Sequence, residues 1–161
     1  MDVQADNATT QADITTFTTS ASASEMTATA QSIDATGSTN NDEALFEDAT
    51  TTDMSNYAAL HFFVYITAWN DARHEVELRA RNGGTDVGVS VNLSDFVETS
   101  TLNQWQSVVI NKTLMNLETQ TIDEFVMLTT STTGGGPDYF VDRIRWEENG
   151  TPVLYTFAPP P

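Results

Sequence analysis

The sequence predicts an all-β fold, a two-sheet β-sandwich of jelly-roll type with an extended N-terminal arm. Three observations carry that prediction. Apolar residues recur with a period of two in about nine short stretches, and Gly, Asn and Thr turns separate them. No stretch carries a helical face. Residues 60–66, Leu-His-Phe-Phe-Val-Tyr-Ile, are apolar at both alternating sets of positions, which suits a strand covered on both sides.

Residues 1–24 are rich in Thr, Ala, Ser and Asp, and Ile14 and Phe17 are their only large apolar side chains. Such a segment buries too little surface to offset its ordering entropy. It reads as an arm that a neighbouring subunit would hold through Ile14 and Phe17, and residues 25–161 read as the sandwich. Met26, Ala28 and Ala30 alternate with polar residues, a first strand. Residues 43–49 give a short strand around Leu45 and Phe46, and polar residues 50–56 lead into the strand at 60–66.

A hairpin follows. Val76, Leu78 and Ala80 point inward while Glu75, Glu77, Arg79 and Arg81 point outward. Asn82-Gly83-Gly84 supplies residues that tolerate positive φ. The return strand sets Val87, Val89, Val91 and Leu93 on one face. Further strands are predicted at residues 105–110 and 122–128, with an exposed loop at 129–137. The strand at 139–146 places Phe140, Asp142, Ile144 and Trp146 on a common face, and a last strand covers 153–157 before three prolines.

Composition narrows the possible roles. The 161 residues carry a formal net charge of −17, and no Lys or Arg precedes Arg73. Nucleic acid and anionic membrane would be repelled. Without cysteine there are no disulfides and no Cys-ligated metals. The longest apolar run is far short of the ~20 residues of a membrane helix, and the N-terminus lacks the basic flank and apolar block of a cleaved secretory signal. Nucleophile-elbow, P-loop and zinc spacings are missing, and the neighbouring acids Asp123-Glu124 and Glu147-Glu148 would point to opposite faces of a strand. The expectation is a protein that is not an enzyme.

Four segments resemble a known family in its own order. Asp53-Met54-Ser55-Asn56-Tyr57 followed by residues 60–66 is similar to the entry turn and central strand of jelly-roll carbohydrate-binding modules, in the galactose-binding-like superfamily. Trp105-Gln106-Ser107-Val108-Val109-Ile110 resembles their "W..V.IPL" strand and Ile122-Asp123-Glu124-Phe125 their "ID.I" strand. Tyr139-Phe140-Val141-Asp142-Arg143-Ile144 resembles their closing "FYIDDI" strand, with Arg143 in place of the second acid. The resemblance covers roughly residues 41–147 and implies a sandwich that in this family binds glycans, and that also occurs in viral structural proteins.

The resemblance also implies a structural Ca²⁺ near Asp142; pairing with an Arg is the alternative for that carboxylate. No other cofactor is expected. Phe63, Tyr65, Trp69, Tyr139, Trp146 and Tyr155 are candidates for stacking on a sugar ring, against simple packing, with Trp69 foremost because it sits in a polar turn. His61 and His74 lack a partner motif and read as strand residues. The arm, the small size and the missing catalytic motifs together suggest a virion protein. The expectation is a homo-oligomeric capsid decoration or cement protein at the virion surface, contacting neighbouring subunits. The alternative is a glycan-binding module or an adhesin of a tail, fibre or extracellular appendage.

Overall fold

The computed structural model describes residues 18–20, 32–132 and 135–150. Among them are nine strands: β1 (Thr18–Ser20), β2 (Ser32–Asp34), β3 (Glu43–Asp53), β4 (Tyr57–Ala68), β5 (His74–Asn82), β6 (Thr85–Asn92), β7 (Trp105–Asn111), β8 (Thr121–Ser131) and β9 (Asp138–Glu148). All pairs are antiparallel. One sheet has the order β1-β2-β9-β4-β7 and the other β3-β8-β5-β6. The chain is an all-β sandwich, as the alternation predicts. Ile14, Phe17 and the strands expected at 26–31 and 153–157 lie outside the described residues.

β4 is hydrogen-bonded on both edges, to β7 and β9. Its Leu60, Phe62, Val64 and Ile66 are fully buried against the second sheet, where Phe125 stacks on Phe46 at 5.9 Å and tilts towards Phe62 at 6.4 Å. His61 and Phe63, on the opposite face, are buried as well. β3 runs beyond the predicted stretch because Thr52 and Asp53 pair with β8 across an irregularity. The Asp53 carboxylate then accepts from the Ser55 amide at 2.8 Å and starts a 3₁₀ turn at Met54–Asn56. Lys112 Nζ donates to the Met54 and Ser55 carbonyls of that turn at 2.8 and 3.3 Å.

The hairpin between β5 and β6 closes on Gly83 and Gly84, with φ of +56° and +76°. The outward residues of β5 form a charged ladder. Arg81 grips Glu43 through two nitrogens at 2.6 and 3.0 Å and Asp86 at 2.7 Å, while Arg79 meets Glu77 and Asp86 at 2.7 and 3.1 Å. Val126 and Leu128, in register with Arg79 and Glu77, stay buried on β8.

Three expectations about facing and length are corrected. Val87 and Val91 pack on the core, but Val89 is 44 % exposed. The cause is a bulge: β6 advances from Val87 to Val91 while β5 advances from Ala80 to Leu78, and Gly88 sits at φ +71°. In β9, Phe140, Asp142, Ile144 and Trp146 do not share a face. Arg143 adopts φ +54° where the pairing with β4 shifts between His61 and Phe63. Phe140 and Asp142 therefore face outward, beside Tyr65 and Phe63, whereas Ile144 and Trp146 join the core. Finally, Thr129 belongs to β8 and not to an exposed loop: it is buried, and its amide and carbonyl bond Asp42 and Asn41 at 2.9 and 2.8 Å.

Candidate functional site

The outer face of the five-stranded sheet gathers aromatic rings at one end and paired polar groups at the other. Its residues come from the alternate positions of β4 that point away from the core and from their partners across two ladders. Tyr65 is opposite Trp105 on β7 and Phe140 on β9; Phe63 is opposite Ser107 and Asp142; His61 is opposite Val109 and Arg145; Ala59 is opposite Asn111 and Glu147. Each such step along a strand is roughly 6.6 Å.

Tyr65 is the hub of the aromatic end. Its ring lies 5.4 Å from Trp105 at 57° and 6.3 Å from Phe140 at 70°. Tyr65 and Trp105 are half-buried, so both keep surface open to a ligand. The chain before Trp105 is tied in place. Gln106 Oε1 accepts from the Glu98 amide at 2.8 Å, and its Nε2 donates to the Glu98 and Thr101 carbonyls at 3.0 and 3.1 Å. Asn103, at φ +58°, donates its amide to the Ile66 carbonyl at 2.8 Å. The indole is therefore held on a fixed backbone, which lowers the entropy lost when a ligand binds.

At the polar end, His61 Nε2 is 3.0 Å from Ser107 Oγ, and its ring meets Phe63 edge-on at 4.9 Å. Glu147 Oε1 lies 3.5 Å from His61 Nδ1 but already accepts from Arg145 Nε and a terminal guanidinium nitrogen at 3.2 and 2.9 Å. Burial first, and then the nearby Arg145 charge, lower the His61 pKa to about 4. The ring is thus neutral near pH 7, and its approach to Glu147 is not an ion pair.

This has a consequence for stability. Between the ordinary histidine pKa of 6.5 and about 4, the unfolded chain binds a proton that the folded chain refuses. The contribution of His61 is whole above that window and is lost as pH falls through it, by on the order of 3 kcal/mol. Urea unfolding should show wild type losing more stability than His61→Gln between about pH 7 and about pH 4. Parallel losses in the two proteins would contradict a buried neutral ring.

Of the residues singled out from sequence, Tyr65 and Phe63 lie on this face, whereas Tyr139, Trp69 and Asp142 take other roles. Tyr139 is fully buried between the sheets, in register with Ile66, and burial holds its phenol pKa well above the ordinary value. It has no face to offer a sugar, which corrects its candidacy. Trp69 is half-buried, packs against the core and donates its indole N–H to the His74 carbonyl at 3.2 Å. Asp142 is 2 % exposed and in register with Phe63. Among the described residues, no three acids, histidines or cysteines gather where they could hold a metal ion. Ca²⁺ takes about six to eight oxygens, backbone carbonyls among them, so Asp142 would be one of several ligands that the Ca²⁺ implied by the resemblance requires. The sequence motifs place Trp105 and Phe140 on strands without assigning them a ligand, and the alternation of Trp105, Ser107 and Val109 is the signal for an outward face.

No protein-family model matches the sequence, and no curated protein does. Solved structures do resemble the fold. SGBP-B, from a complex xyloglucan utilization locus in Bacteroides uniformis, superposes with a TM-score of 0.56 at 13 % identity, over 81 % of this chain and 44 % of its own. This chain thus spans under half the length of that protein. A non-crystalline-cellulose-specific module, CBM28, gives 0.49 at 12 % identity over 77 % and 79 % of the two chains. A family 11 module from Clostridium thermocellum, in complex with a mixed-linked tetrasaccharide, gives 0.45 at 16 % over 73 % and 75 %. Over 81 % of its length the chain has a β-sandwich fold similar to part of SGBP-B.

Proposed function

We propose that this domain is a non-catalytic glycan-binding module that stacks sugar rings on Tyr65 and Trp105, with Phe140 bracing Tyr65 from behind. The observation that supports this is the grouping of three aromatic rings from three strands on one outer sheet face, continuous with the half-buried polar groups of Ser107 and Arg145. Pyranose rings present C–H faces to aromatic planes and hydroxyls to polar side chains, and this face carries both kinds of group. Glu147 is engaged by Arg145, which suits a fixed acceptor better than a catalytic acid. The fold likeness favours this reading over the capsid-decoration role that the arm's composition suggested. Such a module would act where it meets polysaccharide, at a cell exterior or on the surface of a particle.

The test is affinity electrophoresis and calorimetry against a panel of soluble polysaccharides. Trp105→Ala should weaken binding about tenfold to a hundredfold, as loss of an anchoring aromatic does, with an unchanged circular dichroism spectrum. Trp69→Ala should leave affinity within about twofold, since its ring serves packing. The reverse pattern would move the site to the Trp69 loop, and absence of binding across the panel would refute the glycan reading.

A further inference from the structure

We propose that Asn111 is an acceptor site for an N-linked oligosaccharide. This holds whether or not the domain itself binds glycans. The chain contains Asn-x-Ser/Thr triplets at Asn7, Asn92, Asn111 and Asn149, none with an intervening proline, and such a triplet is the minimal sequence that transferring enzymes read. In a chain so rich in Thr the triplets alone do not rank themselves; their surroundings in the fold do. Asn7 lies outside the described residues.

Asn111 ends β7, and both it and Thr113 are exposed. Asn111 Oδ1 accepts from the Thr113 amide at 3.0 Å and from the Thr113 hydroxyl at 2.9 Å. The two groups that define the triplet, the side-chain amide and the hydroxyl two residues on, are therefore presented together on one exposed turn. With Oδ1 taken, the Nδ2 donors are left to face outward. The other described triplets lack this arrangement. After Asn92, Leu93 is fully buried and Ser94 gives its hydroxyl to the Glu75 carboxylate, while the Asn92 side chain makes no bond to the turn it opens. At Asn149 the Nδ2 atom is itself committed, donating to the Ser55 carbonyl at 2.7 Å. Transfer would join Asn111 Nδ2 to the anomeric carbon of an oligosaccharide carried on a polyprenyl diphosphate. The bond from that carbon to the diphosphate oxygen breaks, the diphosphate leaves with the electron pair, and Nδ2 gives up one proton. Asn111 shares its outward row with Trp105, Ser107 and Val109, so the glycan would be rooted at the polar end of the face, roughly 20 Å along β7 from Trp105.

The experiment incubates the folded full-length protein with a single-subunit oligosaccharyltransferase and a polyprenyl-diphosphate-linked oligosaccharide, and maps glycopeptides by mass spectrometry. Asn111 should carry the sugar, and Asn92 and Asn149 should be modified several-fold less. Thr113→Ser should remain an acceptor, because it keeps the hydroxyl, whereas Thr113→Val should lose modification at Asn111 with an unchanged circular dichroism spectrum. A free peptide of residues 89–97 should accept the sugar at Asn92, since only the fold withholds that triplet. An unmodified Asn111 in the folded protein, or modification that survives Thr113→Val, would overturn the site. Equal modification of Asn92 in the folded protein, or a peptide of residues 89–97 that is not an acceptor, would overturn the ranking of the triplets by their surroundings.

Discussion

Replacing Phe62 with alanine should cost about 4 kcal/mol of unfolding free energy, the range seen when a buried phenylalanine is truncated. Phe62 is fully buried on the inward face of β4, with its ring 6.4 Å from Phe125, which in turn stacks on Phe46. The cost depends on whether neighbours can fall into the space, and here they are held. β4 is laddered on one side to β7, where Phe62 pairs with Val108, and on the other to β9. Neither backbone can move inward without breaking ladder bonds, so most of the cavity would persist. Val109→Ala, one position away on β7 but 41 % exposed, should change stability by less than about 0.5 kcal/mol. Urea unfolding of both variants reads the difference. A loss below about 1 kcal/mol for Phe62→Ala would mean that the two sheets do not enclose the tight core drawn here.

That core was the legible part of the chain. Leu60, Phe62, Val64 and Ile66 alternate without interruption, and so do Val76, Leu78 and Ala80; period-two patterning maps directly onto the two faces of a strand. What alternation cannot show is a change of phase. Arg143 takes a left-handed φ inside β9, and an arginine gives no compositional warning of it. One such residue reversed the facing of Ile144 and Trp146 relative to Phe140 and Asp142. Gly88 did give a warning, since a glycine inside a strand pattern often marks a bulge, and Val89 is exposed as a result.

The candidate site was less legible for a related reason. Its rings come from β4, β7 and β9, strands distant in sequence that only the sheet order makes neighbours. Trp69 looked exposed because its turn is polar, yet its indole N–H finds the His74 carbonyl five residues on. Tyr139 is an aromatic on a predicted strand, and its register with Ile66 directs it inward.

Gly88→Ala should destabilise the fold by about 3 kcal/mol or more, through two separable effects. The first is conformational. At φ +71° an L-residue with a Cβ costs roughly 1 kcal/mol relative to glycine. The second is steric and specific to this position. A Cβ built on Gly88 falls 2.1 Å from the Met115 carbonyl oxygen and 2.8 Å from a Leu117 methyl. The first of these atoms is backbone, so no rotamer change relieves it. Met115 ends the 3₁₀ turn at Lys112–Met115, which is closed by Asn116 at φ +53° with its amide bonded to the Thr113 carbonyl. Both Met115 and Leu117 are fully buried, so the turn cannot retreat without opening the core between the sheets. Gly84→Ala is the matched control, because Gly84 also has a positive φ, +76°, but nothing lies within 4 Å of its added Cβ. It should show the conformational cost alone, about 1 kcal/mol. The difference between the two variants isolates the close approach of β6 to the turn. If both lost the same amount, the bulge would be shown to yield freely, and the packing of β6 on Met115 would contribute little to the fold.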